Sequence, residues 1–174
     1  ENRDKKLALL EDIDTFPAGK TVENTTVIQI VMFLKGIHEK WKQFAPVPDK
    51  DFQDLNNKFK ASRDSVNKLL EQVEIHNRSL KEAVIEEVKN LSKEDIDASV
   101  QKIRDLQEHW RTLGPAGKKL DPEVNQKFEQ VCDEFLRIKD KELDESRGLM
   151  DDIIKDLRDK KVAPGEAEQR FLGL

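Results

Sequence analysis

The feature that most restricts the fold is an internal duplication with a spacing of 69 residues. At that offset Val27 pairs with Ile96, Val31 with Val100, Leu34 with Ile103, Ile37 with Leu106, Trp41 with Trp110 and Phe44 with Leu113. All six pairs are apolar and fall at steps of three and four, the period of one helix face. The register continues through Pro46 and Pro115, Leu55 and Val124, Asn56 and Asn125, Phe59 and Phe128, and Val66 and Phe135. Chance rarely keeps both tryptophans and both prolines in step, so the chain is read as a repeat protein before anything else.

A further segment recurs with a different spacing. Asn77-Arg78 opens a charged amphipathic run, and Asn2-Arg3 opens a similar one 75 residues earlier. Six extra residues are therefore expected in the first connection, within Thr15–Asn24, where Pro17-Ala18-Gly19 signals a loop. Each copy then holds three helical segments: A at about 3–14 and 77–91, B at about 24–44 and 93–113, C at about 50–70 and 122–139. Another A-like segment fills about 141–161, and Pro164-Gly165 predicts a turn followed by a short helix in the tail. The boundaries predicted are 1–75 for the first copy, 76–140 for the second, and 141–174 for the start of a third segment with its tail.

Composition agrees with helices. Charged residues make up 39% and apolar ones 36%, with only 7 Gly and 6 Pro in 174 residues. Ser92 is the expected N-cap of the second B segment, and Asp121-Pro122 of the second C segment. Gly114-Pro115 and Ala45-Pro46 end the B segments. Neither Gly nor Pro occurs from Asp51 to Leu91. Positions 55, 59, 62, 66, 69 and 73 keep a heptad spacing, with Ser62 the one polar member, and the pattern resumes at 80, 84, 88 and 91. This predicts one continuous helix of about 41 residues, roughly 60 Å long. The expected architecture is all-α: two tandem three-helix bundles sharing that helix, as an elongated, left-handed, coiled-coil-like rod. The competing arrangement is one compact bundle with the helix broken near His76.

The residues with chemistry are sparse. His38, His76 and His109 belong to no metal motif, and the single Cys132 excludes an internal disulfide and a cysteine-based zinc site. Cys132 reads as a buried, inert thiol. No catalytic, cofactor or metal constellation is found, so no enzyme and no cofactor is expected. No apolar run is long enough for a membrane span, and no membrane partner is expected. The net charge of −5 leaves no chain-wide footprint for nucleic acid. A local one is conceivable: the loop with Arg111, Lys118 and Lys119, together with Lys127 and a strip of Lys58, Lys60 and Arg63. Backbone amides of Gly114–Lys119 before a helix are candidates to hold a phosphate, though a solvated turn is the simpler reading. Because the chain begins with Glu1 rather than Met, it is expected to be an excerpt.

The run from Leu106 to Phe135 resembles the bacterial helical repeat catalogued as domain of unknown function 349. That family looks like LQxxWKxxGP, a basic turn, then a helix with a Phe and a C-D-x-F ending. Leu106, Trp110, Gly114, Pro115, Lys118, Lys119, Phe128, Cys132, Asp133 and Phe135 match it. The first copy is degenerate. It keeps Trp41, Pro46, Phe59 and Asp64, but has Ala45 for Gly, Arg63 for Cys, and Asp49 where the basic turn is expected. The resemblance implies a cytoplasmic bacterial protein carrying tandem copies, with no established activity. The functional expectation is a non-enzymatic interaction or spacer module that presents charged helix faces to a protein partner. The alternative is a nucleic-acid- or ribosome-associated protein using the basic loop and strip.

Overall fold

The structure, a computed structural model, describes residues 1–159, 169, 170, 172 and 173. Among the described residues five helices follow in order: α1 (Asn2–Thr15), α2 (Val27–Gln43), α3 (Asp49–Lys89), α4 (Ile96–Thr112) and α5 (Asp121–Arg158). No strand occurs among the described residues, so the protein is all-α. The predicted turn at Pro164-Gly165 lies outside the described residues.

Helix α3 is continuous over 41 residues and runs through His76 without a break. With neither Gly nor Pro inside it, no residue lacks an amide or favours another backbone region. Helix α5 is likewise continuous over 38 residues, joining the second C segment to the third A-like segment. The B segments form α2 and α4, each of 17 residues.

Helix starts are set by equivalent side chains. Thr26 caps α2 with a capping box: its hydroxyl accepts from the Gln29 amide at 3.3 Å, while Gln29 accepts from the Thr26 amide at 2.9 Å. At the same place in the repeat, Asp95 caps α4 by accepting from the Ala98 amide at 3.1 Å. The expected cap, Ser92, instead accepts from Glu94 N–H and belongs to the preceding turn. The inserted connection before α2 is ordered by Asn24. Its side chain accepts from the Thr21 amide and donates to the Gly19 carbonyl, while Gly19 takes φ +73°.

The residues form two compact units. The first comprises Glu1–Val84 with His109–Gln126, the second Ile85–Glu108 with the described residues from Lys127 onward. In the first unit α1, α2 and the start of α3 share one core. Leu9, Leu10 and Ile13 of α1 meet Val27, Ile30, Ile37 and Trp41 of α2, and Leu55, Phe59, Val66, Leu69 and Val73 of α3. In the second unit Ile85, Val88, Ile96, Val100, Ile103, Phe128, Cys132 and Phe135 are buried. Ion pairs line its surface, including Lys102–Glu87 and Lys139–Asp97.

Two readings of the apolar stripe change. Leu80, counted on the stripe of α3, is exposed, and its neighbour Lys81 is buried instead. Val31 is 48% exposed although its partner Val100 is 9% exposed, so matching residues at matching positions are not equally covered. Ile30 has no exposed surface and Ile28, two residues away, is 66% exposed. Ile30→Ala should therefore cost about 2–5 kcal/mol in urea unfolding, whereas Ile28→Ala should stay within about 0.5 kcal/mol of the parent.

Candidate functional site

The two copies build the same station around their tryptophans. In the first, the Asn2 side chain donates to the Pro46 carbonyl at 3.1 Å, and the Lys6 ammonium lies 4.2 Å from the centre of the Trp41 ring. In the second, Asn77 donates to the Pro115 carbonyl at 3.0 Å, and Lys81 lies 5.3 Å from the Trp110 ring. The partners stand 75 residues apart on the A segments and 69 apart on the B segments, as the six-residue insertion requires. Each lysine stem covers an aromatic face, and the cation adds about 0.5–2 kcal/mol of attraction. Trp41 also stacks on Phe59 at 4.1 Å, and its indole N–H donates to Asn56 at 3.3 Å.

Sequence reasoning missed Lys6 and Lys81, because a lysine on a charged helix reads as solvated. A signal was present: Asn-Arg-x-x-Lys occurs at both Asn2 and Asn77. The stations differ in one respect. Lys81 pairs with Asp121 at 2.8 Å, but the corresponding position in the first copy holds Phe52. Among the described residues Lys6 has no acid partner, and burial pushes its ammonium below the usual lysine range.

The turn after Trp110 is shaped by its glycines. A Cβ on Gly114 would lie 2.4 Å from the Asn77 amide nitrogen, and Gly117 adopts φ +99° with Glu74 against it. Asp121 does not cap its own helix. Its carboxylate turns back, accepting from the Ala116 amide at 2.9 Å and from Lys81. An amide that a phosphate would use is therefore taken by a carboxylate of the chain itself. Burial, then Asp121, then Glu71 push the Glu74 carboxyl above the usual range. Lys118 and Lys119, in the same turn, are exposed.

The remaining basic candidates are dispersed. Lys58 is held by Asp54 at 2.8 Å, and Lys60 is exposed. The half-buried Arg63 lies 5.7 Å from the Phe59 ring, with its Nε buried and unbonded. These three precede Glu74 on α3 by 11 to 16 residues, roughly 16–24 Å of helix axis. The structure does not bring them to the Lys118-Lys119 turn. Arg111 and Lys127 are exposed. Cys132 is buried, and burial together with Asp133 pushes its thiol up to about 11. Among the described residues no group of His, Cys, Asp or Glu has the geometry to hold a metal ion, and no helix is long and apolar enough to cross a membrane.

These features define an all-α protein whose helical unit recurs with the same tryptophan, proline, asparagine and lysine contacts. Residues 49–119 match the model of the family described as Domain of Unknown Function (DUF349), and over that stretch the chain is similar to it. The match opens with α3 and ends at Lys119. It includes Trp110, Gly114, Pro115, Lys118 and Lys119, and stops before Phe128, Cys132 and Phe135. No curated protein and no solved structure is significantly similar to the chain.

Two measurements probe the turn. Gly114→Ala should cost about 1–2 kcal/mol by displacing Asn77, and distinctly less in an Asn77→Ala background, as a double-mutant cycle would read. Glu74→Gln should raise stability at neutral pH by about 0.5 kcal/mol by removing like-charge repulsion. A carboxyl with a raised folded pKa binds its proton more tightly folded than unfolded. That gain should thus fade as the pH falls through the raised value and Glu74 becomes neutral, which melts at pH 7 and pH 4 would compare.

Proposed function

We propose that this chain is a non-enzymatic helical-repeat module that presents its helix faces to a protein partner in the bacterial cytoplasm. On this reading it carries two copies of the family unit, the first divergent. The observation that carries it is the contrast between inside and outside. The contacts of Asn2, Lys6, Trp41 and Pro46 recur at Asn77, Lys81, Trp110 and Pro115. Some residues facing outward at equivalent positions change size and charge, as with Asp14 and Lys89 or Ser65 and Glu134. A scaffold whose frame is kept and whose faces are varied suits recognition.

The rival reading, nucleic-acid or ribosome association, draws on the adjacent exposed Lys118 and Lys119. Glu74 and Asp121 at the same turn weigh against it, because they repel phosphate where the lysines would attract it. Cross-linking and affinity capture from native cells, with and without nuclease, separates the two. The protein-partner reading expects a partner that survives nuclease and is retained by Lys118→Glu/Lys119→Glu. Capture that vanishes with nuclease, and salt-dependent binding that the double variant abolishes, would replace it with the nucleic-acid reading.

A further inference from the structure

An open groove of about 620 Å³ runs between α1 and α3 in the first unit. Leu7 and Leu10 form one wall, Ala61, Ser62 and Ser65 the other. The second copy is built differently at the same positions, which its matching stations identify residue by residue. Glu82 stands for Leu7, Gln130 for Ala61, Val131 for Ser62 and Glu134 for Ser65. Glu134 is further engaged by Lys93. Long, charged side chains occupy the outer face of one copy, and small or apolar ones leave the other open.

Ser62 is the second observation. It is 7% exposed and lines the groove, and its hydroxyl has no hydrogen-bond partner among the described residues. Its Oγ opens onto the groove, where an incoming side chain can bond it.

The α1 rim of the groove is acidic. Glu11 and Asp14 line the groove on α1 and pair with no cation among the described residues. The one lysine on the opposite wall, Lys58, is already held by Asp54. The second copy has Lys89 where the first has Asp14.

We propose that this groove docks an amphipathic helix of a protein partner, with basic side chains flanking its apolar face. The inference rests on the interaction-module reading and names the surface and the partner's chemistry. Both walls are helices offering positions three and four apart over about two turns, roughly 10 Å. A third helix places its own ridge into such a groove with anchors at i, i+3, i+4 and i+7. Its apolar anchors sit against Leu7, Leu10 and Ala61, and its Lys or Arg residues meet Glu11 and Asp14. One polar side chain among the anchors bonds Ser62. Two turns of contact give a weak, exchangeable complex.

The test uses the full chain and a labelled synthetic helical peptide of about 18 residues, with Leu on one face and Lys on its flanks. A scrambled peptide of the same composition is the control. Fluorescence anisotropy should show saturable binding of the amphipathic peptide, with the scramble at least about tenfold weaker. Ala61→Gln/Ser62→Val/Ser65→Glu installs the residues that the second copy carries, and should weaken binding about tenfold or more while the helical circular dichroism is unchanged. Should that variant unfold, Leu7→Glu alone decides. Glu11→Lys/Asp14→Lys should weaken binding and remove its salt dependence. Equal binding of the scramble, or an unaltered affinity after the groove is filled, overturns the proposal. So does a concentration-dependent dimer that the groove-filling variant abolishes, since the occupant is then a second copy of the chain. If the groove-filled chain still captures the nuclease-resistant partner from cells, the groove is wrong and the interaction reading stands. If the unaltered chain captures none, both fall.

Discussion

A lysine held under cover beside a tryptophan is the interaction on which each copy depends. Lys6 and Lys81 are both nearly buried, a costly place for an ammonium unless its stem packs and its charge is met. The ring face of Trp41 or Trp110 supplies both. The asparagine four residues earlier reaches the carbonyl of the proline after the B helix. One turn of the A segment is thereby fastened to the end of the B segment, a joint that packing of apolar stripes alone would leave free to slide. Where Asp121 is present, it adds an ion pair and ties the following turn to the same lysine.

The long helix follows from a simple rule with a local exception. Nothing between Asp49 and Lys89 interrupts backbone hydrogen bonding, so the chain stays helical while its buried face changes partners. Up to Val73 the face is an apolar heptad. Beyond His76 it passes through Lys81 rather than Leu80 before Val84 and Val88. The handover is therefore made by a charged residue whose partners, Trp110 and Asp121, lie far along the sequence.

The copies diverge both on the exposed surface and at buried positions. Phe52 stands for Asp121, Ser62 for Val131 and Asp14 for Lys89, while Trp, Pro, Asn and Lys persist. The turn around Gly117 shows how such changes matter. Its two lysines suggested an anion site, yet Glu74 lies against Gly117 and Asp121 takes the Ala116 amide. Lysines in sequence report local charge, and carboxylates brought in from another helix decide its net effect.

The fold class and the unbroken helix were legible in the sequence. Each depends on local chemistry: the 3.6-residue period, the lack of Gly and Pro, and apolar side chains in register. The capping role of Asp95 and the turned-back carboxylate of Asp121 were not legible, because a carboxylate chooses among several amides within reach. Neither were the burial of Lys81 and Lys6, the acids at the Lys118-Lys119 turn, or the open groove at Ser62. Those depend on which helices meet, and burial, pairing and electrostatic sign at a residue are set by neighbours that periodicity does not reveal.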